Sequence, residues 1–186
     1  MNKAPLDTSS SIDWLNSGKI LVHPTESIWG LGCDAFNKTA VNNIFKLKKR
    51  DKKKKFILLA SSIDSVEKNL CYLSKTDKEY LSDYWPGPYT FLIKYKENIP
   101  NHLKNDTNKL AVRVSNHLPL KLLISGFKSF MVSTSANLSG EDVFDNPDAI
   151  LDFFESDQLA YYDGELGPNK RPSKIIDLDT KSVIRG

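Results

Sequence analysis

Short apolar runs set between segments of helical period constrain this chain more than any other feature. Residues 19–23 (K-I-L-V-H), 56–60 (F-I-L-L-A) and 130–133 (F-M-V-S) are too short for buried helices and read as strands, the last two buried on both faces. Pro24 stops the first. Between them, residues 39–49 put Val41, Ile44, Phe45 and Lys48 on one helical face, with Asn37 or Thr39 available as the cap. Further helices are expected over 62–70, 75–84 and 118–125, and from Pro147 onward. Strand character marks 90–96, 110–115, 159–162, 174–178 and 182–185. Strands and helices interleave throughout, which defines an α/β class. No repeat or linker divides the chain, so one domain over residues 1–186 is expected.

Charge is concentrated at one place. Eight of the ten residues 46–55 (K-L-K-K-R-D-K-K-K-K) are basic, against 26 Lys+Arg and 23 Asp+Glu in all. Without this run, 18 basic residues face 22 acidic ones, a net charge of −4. A local positive site calls for a local negative partner: nucleotide phosphates, a nucleic-acid backbone or an anionic membrane surface. The plain alternative is a solvated loop or helix end. Cys33 and Cys71 form no C-x-x-C pair, which points away from a disulfide framework or zinc site and suits a reducing cytosol. The N-terminal M-N-K-A-P-L-D-T-S-S has no apolar core, so it does not read as a signal peptide. The longest apolar stretches, of about five residues, fall far short of the ~20 needed to span a membrane. A cytoplasmic location without membrane contact is the expectation.

Common catalytic signatures are missing. There is no G-x-x-x-x-G-K-[ST] loop. Gly30-Leu-Gly32-Cys-Asp-Ala35 matches G-x-G-x-x-A but lies beyond the first turn after its strand, which excludes a dinucleotide fingerprint. Those glycines read as permitting a tight turn and close backbone packing. His23, His102 and His117 are scattered, no H-E-x-x-H occurs, and no metal ligand set is expected. There is no G-x-S-x-G elbow. Residues 133–140 (S-T-S-A-N-L-S-G) follow a buried strand and are rich in hydroxyl and amide groups. They suit either hydrogen bonding to phosphate or carboxylate oxygens or an ordinary capped turn. Arg113, inside L-A-V-R-V-S, must reach a carboxylate, a phosphate or the surface, because its charge cannot be buried unpaired.

Six segments together resemble the YrdC-like family, from about Gly18 to the last residue, and within it the short bacterial members. They are H-P-T-E-S-I-W-G-L-G-C-D from His23, L-K-K-R from Leu47, W-P-G-P-Y-T from Trp85, L-A-V-R-V-S from Leu110, S-T-S-A-N-L-S-G from Ser133 and R-P-S-K-I-I-D from Arg171. The resemblance implies a single-domain YrdC/RibB-like fold, with an open, strongly twisted mixed sheet, flanking helices and a basic concave face. It also implies a nucleotidyltransferase that joins L-threonine, bicarbonate or CO2 and ATP into threonylcarbamoyl-adenylate and diphosphate, with Mg2+ carried mainly on the ATP phosphates. Partner proteins of tRNA modification then use the adenylate on tRNAs that read codons starting with A. The nucleophile belongs to the substrate, which fits the missing Ser, Cys or His triad.

Residue by residue, the resemblance assigns Lys48 and Arg50 as catalytic groups on the ATP phosphates. Lys54, Ser135 and Asn137 are added to the ATP set. Thr25, Ser27, Arg113, Ser133 and Ser173 go to L-threonine, Arg113 as a bidentate clamp on the carboxylate. Lys52, Lys53 and Lys55 read as a solvated loop. Asp51 stands where the family often has Pro, and Leu59 where longer members carry His. Two other readings stay open: a non-catalytic protein that binds tRNA or double-stranded RNA weakly on the same basic face, and a YrdC-like unit used in other carbamoyl chemistry, as in hydrogenase maturation.

Overall fold

Side chains alternate between the two faces of a strand, so strand order and register decide which residues of this chain meet. The computed structural model describes residues 4–51, 54–169 and 172–185. Lys52, Lys53 and Arg171 therefore lie outside the described residues. In chain order the elements are α1 (Thr8–Asn16), β1 (Ile20–His23), β2 (Gly30–Asp34), α2 (Lys38–Leu47), β3 (Ile57–Ala60), α3 (Ile63–Asn69), α4 (Lys75–Ser82) and β4 (Tyr89–Lys94). They continue with β5 (Lys109–Val114), α5 (Leu118–Phe127), β6 (Met131–Ser135), α6 (Pro147–Phe154), β7 (Leu159–Tyr161), β8 (Lys174–Asp177) and β9 (Val183–Arg185). The strands form one mixed sheet in the order β7-β1-β2-β6-β3-β5-β4-β8-β9. Its parallel pairs are β1–β7, β3–β5 and β4–β8.

One sheet face is covered. Leu31, Cys33, Leu58, Phe91, Val112 and Val132 pack with Val41, Ile44 and Phe45 of α2, Val66 of α3, Leu81 of α4 and Ile150 of α6. Fully burying aliphatic side chains of this size contributes roughly 1.5–3 kcal/mol each. The other face is divided. At one end Leu21, Leu59 and Met131 pack against Leu15 of α1 and Leu120, Leu123, Ile124 and Phe127 of α5. Two residues along the same strands, at Ile57, Ser133 and Ala111, that face opens into a cleft.

Two elements were not anticipated. α1 begins T-S-S-S, a run of poor helix formers, and hides from propensity. It forms because Asp7 caps it through a 2.7 Å bond from the Ser10 amide and because its own Ser11 and Leu15 are buried. β2 carries Gly30 and Gly32, which suggested a turn. The glycines are instead strand residues paired to β1 and β6, and the second expectation, a close approach, is the one met. The imidazole of His23 lies across them: a Cβ on Gly30 would come within 2.7 Å of its Cε1. At Gly32 a Cβ would sit 2.9 Å from both the Met131 sulfur and the Val132 carbonyl oxygen. Backbone cannot yield cheaply here, so Gly32→Ala should destabilise the protein by roughly 1–3 kcal/mol in urea denaturation, the usual cost of overpacking. An unchanged midpoint would show that the strands can separate to admit a methyl group.

Candidate active site

The open half of the divided face is a cleft of about 410 Å³. Thr25, Ser27, Ile28 and Trp29 enter it from the β1–β2 connection, and Arg50, Lys55 and Phe56 from the α2–β3 connection. Its floor is sheet: Gly30, Ile57, Ala111, Arg113, Ser133, Ser135 and Ile175, with Arg185 from β9. Among the described residues four cations line it (Arg50, Lys55, Arg113 and Arg185) and no carboxylate does.

The end of α2 sends two neighbouring cations in different directions. Arg50 N donates to Phe45 O and Lys49 N to Lys46 O, the paired bonds of a Schellman turn, with Lys49 in the left-handed region at φ 46°. The turn leaves Lys48 on the buried helical face and throws Arg50 to the cleft wall. Lys48 is fully buried, and its ammonium donates to the carbonyls of Ser135 and Asn137 and to Asn137 Oδ1. Burial, with the nearby Arg50 charge adding to it, lowers its pKa to about 8, so it is still charged at neutral pH. Arg50 is held by the main chain of its own loop: Nε donates to Lys54 O at 2.9 Å and Nη2 to Lys55 O at 3.2 Å. Its guanidinium stands 5.2 Å from the Phe56 ring centre.

Beyond β6, Ser135 Oγ donates to Asn137 Oδ1 at 2.6 Å, and Asn137 Nδ2 donates to Glu141 O at 2.6 Å. Thr25 Oγ1 accepts from the amides of Ser27 and Ile28 and donates to Ile28 O at 2.7 Å, so its hydroxyl builds the turn that carries Ser27. Ser173 Oγ pairs with Thr90 Oγ1 at 2.9 Å, and its carbonyl accepts from Arg185 Nη2 at 2.8 Å.

Arg113 is the most enclosed cation of the cleft. Glu26 Oε2 lies 3.2 Å from its Nη2, and both side chains are less than 10% exposed. The contact is an ion pair without good hydrogen-bond direction, because Glu26 Oε2 makes no aligned bond; Arg113 Nε also has no acceptor among the described residues. Burial pulls the guanidinium below its ordinary pKa, opposed by the Glu26 charge.

Of the residues assigned from the sequence, Thr25, Ser27, Arg50, Arg113, Ser133, Ser135 and Ser173 come together in the cleft lining. Lys48 and Asn137 lie behind it, joined to each other. Lys54 is exposed and offers its main-chain oxygen to Arg50. Two lining cations were passed over. Lys55 was grouped with the solvated lysines, although it directly precedes the buried Phe56 and lines the cleft. Arg185 has no local signal at all; it arrives through the β8–β9 pairing of Ile175 with Arg185.

An open mixed sheet whose bare half gathers cations and hydroxyls defines an α/β protein with a cleft suited to anionic ligands. The model of the family described as telomere recombination (Sua5, YciO and YrdC proteins) matches residues 13–186, and this chain belongs to that family. Threonylcarbamoyl-AMP synthase of Acinetobacter baumannii is 38% identical over 183 residues, covering 95% of this chain and 96% of the relative. The structure of P. abyssi Sua5 complexed with L-threonine superposes with a TM-score of 0.82 at 26% identity, over 92% of this chain. The chain spans about half of that protein, 51%. E. coli YciO superposes with a TM-score of 0.81 at 25% identity, covering 96% of this chain and 87% of its own.

His23 links the floor of the site to acid stability. Its Nδ1–H donates to Pro24 O at 3.1 Å, and burial, the leading cause, lowers its pKa to about 4. The unfolded chain binds this proton below about pH 6.5 while the folded one refuses it. Stability is therefore whole above that pH and falls by up to about 3 kcal/mol as pH drops to about 4. Urea titrations across pH should show this loss in the wild type and a flatter profile in His23→Gln. Equal slopes would mean the imidazole already accepts the proton in the fold.

Proposed function

We propose that this protein is a threonylcarbamoyl-AMP synthase. The observation that carries the reading is a cleft lined, among the described residues, by four cations and several hydroxyls and by no carboxylate. Three of those cations (Arg50, Lys55 and Arg185) have no carboxylate within ion-pair distance among the described residues. Such a site attracts polyanions. The relative that matches the chain nearly end to end carries the synthase name, and Sua5 was solved with L-threonine bound.

The chemistry follows from what the site holds. The threonine ammonium gives one proton to solvent, and the amine then attacks the carbon of CO2 and, losing a second proton to solvent, forms a carbamate. A carbamate oxygen then attacks the α-phosphorus of ATP; the bond from that phosphorus to the bridging oxygen of the β-phosphate breaks, and diphosphate leaves. Charge accumulates on phosphoryl oxygens, so the protein's task is to position two anions and neutralise them. Arg50 and Lys55 face the triphosphate, and Arg113 takes the threonine carboxylate. Ser133 and Ser135 lie near the carbamate and adenylate, while Ser27, on the turn built by Thr25, and Ser173 shape the threonine end. Lys48 and Asn137 act from behind by holding the loop that follows β6, and Lys54 by holding Arg50.

No group of three or more His, Cys, Asp or Glu able to hold a metal exists among the described residues. The side chains fit Mg2+ only as a passenger on the ATP phosphates. Bicarbonate as the carbon source, partner proteins that place the threonylcarbamoyl group on tRNA, weak contact of the basic loop with tRNA and a cytoplasmic location complete the proposal. No helix among the described residues is long and apolar enough to cross a membrane.

Incubation with ATP, Mg2+, bicarbonate and L-threonine should release diphosphate only when threonine is present. Arg50→Ala should lose at least roughly a hundredfold in turnover, the scale seen when one donor to a developing oxyanion is removed, with an unchanged melting temperature. Threonine-independent diphosphate release would contradict the reading, and near-wild-type turnover in the variant would remove Arg50 from it.

A further inference from the structure

The cleft contains a guanidinium whose orientation is set from behind. Arg113 is 7% exposed and Glu26 is 6% exposed, and Glu26 is absent from the cleft lining. The glutamate is fixed on three sides. Its Oε1 accepts from Ser115 Oγ at 2.6 Å, two residues beyond Arg113. Its main-chain carbonyl accepts from Asn169 N at 2.9 Å, and the preceding carbonyl, of Thr25, from Gly167 N at 2.8 Å. The approach of residue 167 is so close that a Cβ there would meet Glu26 Cα at 2.7 Å. Its free oxygen, Oε2, reaches Arg113 Nη2 at 3.2 Å.

We propose that Glu26 is a positioning residue for substrate carboxylate: it holds the Arg113 guanidinium by Nη2 and leaves the Nε–H for an oxygen of the incoming amino acid. Two observations support this. A buried donor without an acceptor is rare and costly, and Arg113 Nε is such a donor among the described residues. A buried arginine also needs a counter-charge to remain in an apolar strand, and Glu26 supplies it without closing the cleft side. The glutamate further ties together three cleft-lining segments: the turn that carries Ser27, the end of β5 and the connection that leads to Ser173. The inference rests on the proposed function in taking threonine as the amino acid.

The test is a double-mutant cycle read by calorimetric binding of L-threonine and by steady-state kinetics. In Glu26→Gln the threonine Kd and KM should rise roughly tenfold to a hundredfold, the worth of a hydrogen bond to a charged group. The KM for ATP should move less than about threefold, because no ATP contact is routed through Glu26. In an Arg113→Gln background the same change should have almost no further effect on threonine, since the glutamate acts through the arginine. If Glu26→Gln does not fold, Ser115→Ala removes one anchor of the same carboxylate and should raise threonine KM severalfold, again only when Arg113 is present. Additive effects in the cycle, or an unchanged threonine Kd in either folded variant, would overturn the proposal. If the wild-type protein itself binds no threonine, the functional reading fails instead.

Discussion

Strand register is the constraint on which the site depends. Side chains alternate with a period of two, so a face that begins as core can end as cleft along the same strands. Leu59 and Met131 pack under α1 and α5, while Ile57 and Ser133, each two residues away and still on that face, line the open half. Arg113 pairs in register with Leu59, and so projects on this face rather than into the larger core. A slip of β5 by one residue would turn Arg113 into the core beside Leu58 and Phe91 and put Val112 in the cleft. On β1 and β2 the packing of His23 on Gly30 and Gly32 guards against such a slip, because the glycine positions leave no room for a Cβ.

Charge then determines what this open face can hold. Three of the four lining cations have no carboxylate partner among the described residues, and they face one another across hydroxyls. Self-repulsion of this kind is relieved when an anionic ligand binds. Arg113 is the exception, and the difference has a physical cause. Arg50 and Lys55 stand on a loop near water, whereas Arg113 rises from a central strand and needs Glu26 beside it. The split at α2 follows the same logic: Lys48, enclosed by carbonyl oxygens, organises the loop after β6, and Arg50, one residue beyond a left-handed Lys49, is free to meet ligands.

Much of the architecture was readable from the sequence. The apolar runs at 19–23, 56–60 and 130–133 became β1, β3 and β6, and the face of α2 that groups Val41, Ile44, Phe45 and Lys48 is the buried one. The elements that escaped notice are those set by tertiary contact: α1 by its packing on α5, and β2 by an imidazole that needs glycines beneath it. The site divides in the same way. Arg50, Arg113 and the serines lie in segments with strong local patterns, so their neighbourhood was legible. Which way Arg50 points depends on the handedness of Lys49, and Arg185 reaches the cleft through the pairing of β8 with β9; neither leaves a local trace. Glu26 was visible in P-T-E but has meaning only once β5 lies beside it.

A crystal structure with L-threonine and a non-hydrolysable ATP analogue tests the central claim most directly. The threonine carboxylate should lie on Arg113 with an oxygen at hydrogen-bond distance from Nε, and the triphosphate should lie along Arg50 and Lys55. Threonine seated outside the open half of the sheet, or a carboxylate that leaves Arg113 Nε without an acceptor, would contradict the account.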